Sequence, residues 1–132
     1  PGPIRSRVPH MNSRDLIEKY HNAWTAGDFA TARACLADDL DFQGSIDTFG
    51  SADEFIAALR MFQGMLRGVT TLKGFFDQDG AALLYDCDTP TPAGVIRTAE
   101  FFSIRGDRIS AIRLVFDASE LRKMMAAQGP KP

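Results

Sequence analysis

The chain has 132 residues, of which 45% are hydrophobic, and this length and composition fit one domain with a single core. Its formal net charge is -2 at pH 7, and the sequence contains no cluster of Lys or Arg. A mildly acidic chain of this kind is not expected to bind nucleic acid or an anionic membrane.

The two ends of the chain differ from its middle. Residues 1–10, "PGPIRSRVPH", combine Pro and Arg without periodicity, and the His10-Met11 junction is typical of a cloning site before a start codon. We interpret residues 1–10 as the remnant of an expression tag. Residues 11–128 are predicted to form a single domain, and residues 129–132 a short tail.

The first half of the domain is predicted to be mainly helical. A helix from Arg14 to about Ala26, capped by Asn12 or Ser13, has an apolar stripe with a period near 3.6 residues. Asp28 is predicted to cap a second short helix, "FATARACLAD". The next segment, "LDFQGSIDTFG", indicates an interrupted strand or a strand followed by a loop. A third helix is predicted in "SADEFIAALRMFQGML", which opens with a capping box.

The second half is predicted to be mainly strand. "VTTLKGFFDQDGAALLYDCD" indicates a hairpin that turns at residues 78–80, and "VIRTAEFFSIRGDRISAIRLVFD" indicates another that turns at residues 105–107. "ASELRKMMAAQ" predicts a small C-terminal helix. Three helices followed by four long antiparallel strands predict an α+β fold, in which a curved sheet wraps around the N-terminal helices.

The alternation of side chains along the strands predicts one apolar face and one charged face. The charged outer face would carry Arg97, Asp86, Asp88 and Arg113. Glu100 would be a lone carboxyl among apolar neighbours, where burial raises its pKa; a slip of one residue would instead expose it. The predicted inner face consists of Tyr85, Cys87, Glu100, Phe102, Ile112, Leu114 and Phe116.

The sequence also favours neither a membrane anchor nor a metal site. No stretch approaches the roughly 18 apolar residues of a spanning helix, and no secretory pattern follows Met11, so we expect a soluble, cytoplasmic protein. Cys35 and Cys87 lie far apart and in no paired motif, which favours two free thiols. His21 is the only histidine after residue 10. A histidine metal site or a Ser-His-Asp triad is therefore unexpected, and we expect no metal or other cofactor.

Four motifs carry a resemblance to a known superfamily. They are "YHNAWTAGDF", "LADDLDF", "FGSADEFIAAL" and "FFSIRGDRISAIRLVFD". In their order and spacing the chain resembles the nuclear transport factor 2-like superfamily of cone-shaped α+β folds, over nearly all of residues 12–117. This superfamily includes ketosteroid isomerase, SnoaL-like polyketide cyclases and limonene epoxide hydrolase, and also members without catalytic activity.

The resemblance to ketosteroid isomerase implies three catalytic residues. Tyr20 and a protonated Glu100 would hold the oxygen of an enolate, and Asp47, which opens "DTFG", would move a proton on carbon. Glu100 stands where the isomerase has Asp, and Asp47 aligns after a short insertion. The substrate pocket implied by the fold would be lined by Trp24, Phe42, Phe62, Tyr85, Cys87, Phe102, Ile112, Leu114 and Phe116.

Three functions are compatible with these residues. The favoured one is an enzyme that isomerises or cyclises a small hydrophobic carbonyl compound. The second is a module without catalytic activity that binds an apolar ligand or dimerises, in which Tyr20 and Trp24 are ordinary core, Asp47 is a solvated loop residue, and large apolar side chains fill the interior. The third is epoxide hydrolysis, for which the resemblance to limonene epoxide hydrolase implies two acids bridged by an arginine. The nearest match here is Arg97 and Glu100, which are three residues apart and therefore lie on opposite strand faces. In each case we expect a homodimer formed through the sheet, with Phe101 and Val115 in its interface.

Overall fold

The computed structural model describes residues 11–128; residues 1–10 and 129–132, interpreted above as tag remnant and tail, lie outside the described residues. The described chain forms four helices and six strands. The helices are α1 (Ser13–Thr25), α2 (Phe29–Ala34), α3 (Ala52–Gln63) and α4 (Ser119–Ala127). The strands are β1 (Leu36–Gln43), β2 (Thr48–Phe49), β3 (Gly68–Phe76), β4 (Gly80–Asp88), β5 (Val95–Arg105) and β6 (Arg108–Phe116).

Side-chain caps fix where the N-terminal helices begin. The Asn12 side chain accepts a hydrogen bond from the backbone N–H of Asp15, at 2.8 Å, and so caps α1. Ser51 caps α3 as the sequence predicts, because the Glu54 N–H donates to Ser51 Oγ at 3.2 Å. Gly27 has a φ of 83°, a left-handed conformation that ends α1 and turns the chain into α2.

The second helix is shorter than the sequence predicts. It ends at Ala34, and the residues from Leu36 onward belong to strand β1, so the helix predicted over "FATARACLAD" was wrong in its last part. The N–H of Ile109 donates to the carbonyl of Cys35 at 2.8 Å, and Leu36 pairs with Ile109 of β6. Pairing with a distant strand therefore overrides the local helical preference.

The six strands form one curved sheet in the order β2-β1-β6-β5-β4-β3. The two predicted hairpins are confirmed, and they place β3 to β6 side by side as antiparallel neighbours. Strand β1 instead runs parallel to β6, with a register shift between Leu36 and Asp41. Further register shifts occur in β3 and at the end of β5. Such irregularities bend strands, and the bent sheet encloses α1 and α3 on its inner face.

The predicted alternation of faces holds in β4, β5 and β6. Tyr85, Cys87, Glu100, Phe102 and Ile112 are buried, and Leu114 and Phe116 are half-buried. On the outer face, Arg97 pairs with Asp86 at 2.9 Å and Arg113 pairs with Asp41 at 2.9 Å. Over residues 11–128, none of the helices has the length and apolar character that crossing a bilayer requires.

Candidate active site

A cavity of about 160 Å³ lies between the helices and the inner face of the sheet. All three residues predicted to be catalytic, Tyr20, Asp47 and Glu100, line it. Seven of the nine residues predicted as pocket also line it: Trp24, Phe42, Phe62, Tyr85, Cys87, Leu114 and Phe116.

The other two predicted pocket residues lie next to the cavity but do not line it. Phe102 and Ile112 are buried cross-strand partners. On β5 the lining ends at Glu100, two residues before Phe102, and on β6 it begins at Leu114, two residues after Ile112. These two side chains therefore belong to the packed core next to the cavity and not to its lining. Of the large apolar residues that could have filled the interior, Met61, Phe75 and Phe101 are exposed.

Glu100 is the central polar group of the cavity. Its side chain comes from the middle of β5, and the residue is 1% exposed. The Tyr85 hydroxyl donates a hydrogen bond to Glu100 Oε1 at 2.9 Å. Burial raises the pKa of Glu100 to about 7, against the smaller lowering effect of this hydrogen bond. Near neutral pH the carboxyl group can therefore be a neutral donor or a carboxylate.

Tyr20 contributes a second buried hydroxyl. Its ring packs edge-on against Phe102, with the centroids 5.9 Å apart, and its hydroxyl has no hydrogen-bond partner among the described residues. Burial first, and then the nearby Glu100, raise the pKa of Tyr20 well above its usual value, so the phenol stays protonated. Tyr20 is thus core and cavity wall at once, with an unused donor.

Asp47 lies at the edge of the cavity, in the loop between β1 and β2. The residue is exposed, and its backbone carbonyl accepts a hydrogen bond from the N–H of Gly44 at 2.8 Å. Ser45 ties the same loop to the sheet and to α4. Its Oγ accepts from the N–H of Phe116 at 3.0 Å, and its carbonyl accepts from Arg122 at 2.7 Å. These bonds hold the Asp47 loop against the cavity.

Tyr85 is the functional residue whose role the sequence analysis missed. It was predicted only as pocket lining, although it is the direct partner of Glu100. The signal was present in the strand register: Glu100 pairs with Leu83, so Tyr85 is its diagonal neighbour on the same face. The His21 ring packs against the Tyr85 ring, with the centroids 4.9 Å apart. Burial lowers the pKa of His21 to about 4, which keeps the ring neutral.

The remaining chemistry-bearing groups are few. Cys35 and Cys87 are both buried free thiols, and burial raises the pKa of Cys87 to about 12, so it stays protonated. No group of three His, Cys, Asp or Glu side chains within residues 11–128 could hold a metal ion. None of the described residues that line the cavity is Arg, Lys or His. The ionisable groups among these lining residues are therefore two carboxyl groups, two phenols and the protonated Cys87 thiol.

The chain is similar to a known domain family and to solved proteins. A family model for the SnoaL-like domain matches residues 17–112. A solved protein from Kribbella flavida, described as of known function without the function being named, is 31% identical, with a TM-score of 0.79 over 86% of this chain and 93% of that one. No curated protein matches the chain.

Two further solved structures share the fold at lower identity. An NTF2-like protein of unknown function from Cytophaga hutchinsonii is 16% identical, with a TM-score of 0.75 over 87% of this chain and 98% of that one. A candidate ketosteroid isomerase from Kribbella flavida is 14% identical, with a TM-score of 0.67 over 78% of this chain and 76% of that one. At these identities the likeness concerns the fold alone.

Proposed function

The chain belongs to the SnoaL-like domain family, and we propose that it is a cofactor-independent acid/base enzyme that isomerises or cyclises a small hydrophobic carbonyl compound through an enolate-like intermediate. The resemblance to the nuclear transport factor 2-like superfamily is confirmed by the family match and by the NTF2-like neighbour. The fold hosts several chemistries, so the proposal rests on the side chains of the cavity.

The observation that carries the proposal is the buried Tyr85–Glu100 pair in an apolar cavity that Tyr20 also lines. When Glu100 is neutral, one oxygen accepts from Tyr85 and the carboxyl O–H remains free to donate. The Tyr20 hydroxyl is a second donor, and it has no partner within residues 11–128. Donors fixed in a dry site stabilise a developing oxyanion more strongly than water does.

The proposed reaction begins when the Asp47 carboxylate takes a proton from the carbon next to the carbonyl group. The electron pair of the broken C–H bond moves into the enolate, whose oxygen accepts hydrogen bonds from Tyr20 and neutral Glu100. In an isomerisation of a β,γ-enone, protonated Asp47 returns the proton to the γ carbon. In a cyclisation, the enolate carbon instead attacks a second carbonyl carbon of the same molecule, the π electrons of that carbonyl move to its oxygen, and this oxygen takes the proton from Asp47.

The size of the cavity limits the substrate. Its volume of about 160 Å³ is close to that of an engineered cavity of about 150 Å³ that binds benzene. The buried part of the substrate is therefore the size of a single ring. Any larger portion would extend past the Asp47 loop into solvent.

A single-ring β,γ-enone tests the proposal. At pH 6 in deuterated buffer, we expect the protein to catalyse both hydrogen exchange next to the carbonyl of cyclohex-3-en-1-one and its conversion to the conjugated enone, followed by NMR. Binding of the ketone without exchange or conversion would contradict the enzyme and favour the ligand-binding module. The Asp79→Asn variant serves as a control, because this exposed aspartate lies in the β3–β4 turn, outside the cavity lining.

Epoxide hydrolysis receives no support from the same residues. That reaction would need a cation between two acids, and the Arg97 guanidinium lies on the outer face, where it pairs with Asp86 at 2.9 and 3.0 Å. Glu100 faces the cavity from the opposite side of the same strand. We therefore do not propose this activity.

The proposed enzyme is a homodimer formed through the outer face of the sheet. Phe75, Phe101 and Val115 are 63%, 50% and 56% exposed. They share this face because Phe75 and Phe101 both pair with Ala82, and Val115 pairs with Ala99, two residues before Phe101. Ion pairs beside them carry both signs of charge, so a second copy related by a two-fold axis can meet opposite charges.

We expect Phe101→Asp to convert a dimer into a monomer, because it places a charge in the middle of this apolar face. Light scattering coupled to size exclusion measures the mass of each protein. Met61→Asp is the matched control, since Met61 is 80% exposed on α3, away from the sheet. A wild-type protein that is monomeric at tens of micromolar would contradict the dimer.

A further inference from the structure

Trp24 is the only tryptophan of the chain, and the position of its indole raises a specific question. It lies four residues after Tyr20 on α1, so both side chains extend from the same helix face. Both are buried and both line the cavity. Phenylalanine would fill much of the same space without a polar atom, so the indole N–H needs an explanation.

The indole N–H is a donor that the described part of the chain leaves without an acceptor. Trp24 is 1% exposed, and its Nε1 has no hydrogen-bond partner among the described residues. An indole nitrogen can only donate, and a buried donor without an acceptor is unfavourable. The Tyr20 hydroxyl is also without a partner among the described residues, but the proposed function already assigns it to the reacting carbonyl oxygen, and Tyr85 is hydrogen-bonded to Glu100.

Neighbouring rings hold this donor in a fixed orientation. The indole packs edge-on against His21 and Tyr85, with centroids 5.6 and 6.2 Å away. A third ring, that of the half-buried Phe62, also lines the cavity, and its centroid is 6.5 Å from that of the indole. Because Trp24 and Phe62 both line the cavity, a ligand in the cavity contacts this cluster of rings. A donor oriented before binding loses little freedom when it meets its acceptor.

We propose that Trp24 Nε1–H is a specificity-determining donor, which selects ring-sized carbonyl compounds that carry a second acceptor oxygen. The inference rests on the proposed function, in which Tyr20 and Glu100 hold the reacting carbonyl oxygen. The second oxygen, from a carbonyl, hydroxyl or ether group, accepts from Trp24. A ring that carries one carbonyl group and no other oxygen leaves this donor unsatisfied.

The test compares cyclohexane-1,4-dione with cyclohexanone, which differ by one acceptor oxygen. Because the chain has a single indole, its ¹⁵N-labelled protein gives one indole N–H resonance. We expect saturating dione to move the proton of this resonance downfield and cyclohexanone to leave it nearly in place. We also expect Trp24→Phe to weaken dione binding about fivefold, the effect of one neutral hydrogen bond, and cyclohexanone binding less than twofold.

The outcomes separate this inference from the function on which it rests. Equal resonance shifts with both ketones, or equal weakening of both by Trp24→Phe, would overturn the role of Trp24 and leave the proposed enzyme intact. If neither ketone binds at millimolar concentration, the proposed function and the inference fail together. Because the resonance is measured in the unmodified protein, the test does not depend on how well the variant folds.

Discussion

Replacing Asp47 with Asn is expected to lower the rate of hydrogen exchange next to the carbonyl of a bound single-ring enone by about 10²- to 10⁴-fold, the usual contribution of a positioned general base. The amide keeps the size of the side chain but cannot accept the proton. Since Asp47 is exposed at the edge of the cavity, we expect stability and ketone binding to change little. Exchange followed by NMR in deuterated buffer measures the rate directly.

Asp79→Asn provides the matched comparison, because it makes the same chemical change at an exposed turn away from the cavity. It should keep the full rate. If Asp47→Asn also keeps the full rate, Asp47 is not the base. Glu100 would then be the remaining carboxyl group among the described lining residues, and the roles of donor and base would have to be reassigned.

The fold could be predicted from the sequence where local and long-range preferences agree. The capping residue Ser51 sits directly before an amphipathic stretch, and Gly80 and Gly106 mark the turns of two strongly alternating hairpins, so each element is specified by its own residues. The segment after Ala34 is different, because its helical pattern competes with pairing to β6, which lies more than 70 residues further along the chain. Such a pairing leaves no local signal.

The candidate site could be predicted in its positions but not in its contacts. Strand alternation alone placed Glu100 on the inner face, because a period of two leaves only one choice once the apolar face is known. The register of β4 against β5 was needed to see that Tyr85, rather than Tyr20, donates to the carboxyl group. The cavity is open because of how α3 packs over the sheet. No pattern within a single strand encodes this packing.

Glu100 is expected to make both stability and activity depend on pH. Its pKa is 4.5 in the unfolded reference and about 7 in the folded protein. As the pH rises from 4.5 to 7, the unfolded chain loses this proton while the folded chain keeps it, so the free energy of unfolding falls. At about 1.4 kcal/mol per pKa unit, the free energy of unfolding is about 3 kcal/mol lower above pH 7 than below pH 4.5.

Glu100→Gln removes this titration while keeping a donor and an acceptor in the same place. We therefore expect the free energy of unfolding of the variant, relative to wild type, to be about 3 kcal/mol higher at pH 8 than at pH 4, measured by urea denaturation. His21 titrates in both proteins, with a pKa lowered to about 4, and it destabilises both as the pH falls below 6.5. Its contribution cancels in the difference.

The same variant separates the two catalytic roles open to Glu100. If the neutral acid holds the enolate oxygen, wild-type activity falls as the pH rises through about 7, while Glu100→Gln loses this fall and stays within about tenfold at pH 6, because its amide still donates. Glu100→Leu has no donor and should lose about 10²- to 10³-fold. Wild-type activity that instead rises through pH 7 would mean that the carboxylate acts as a base.

The stability measurement tests the premise of both roles. A difference in unfolding free energy between Glu100→Gln and wild type that does not change between pH 4 and 8 would mean that the carboxyl group is solvated. The chemistry proposed for the cavity would then lose its donor.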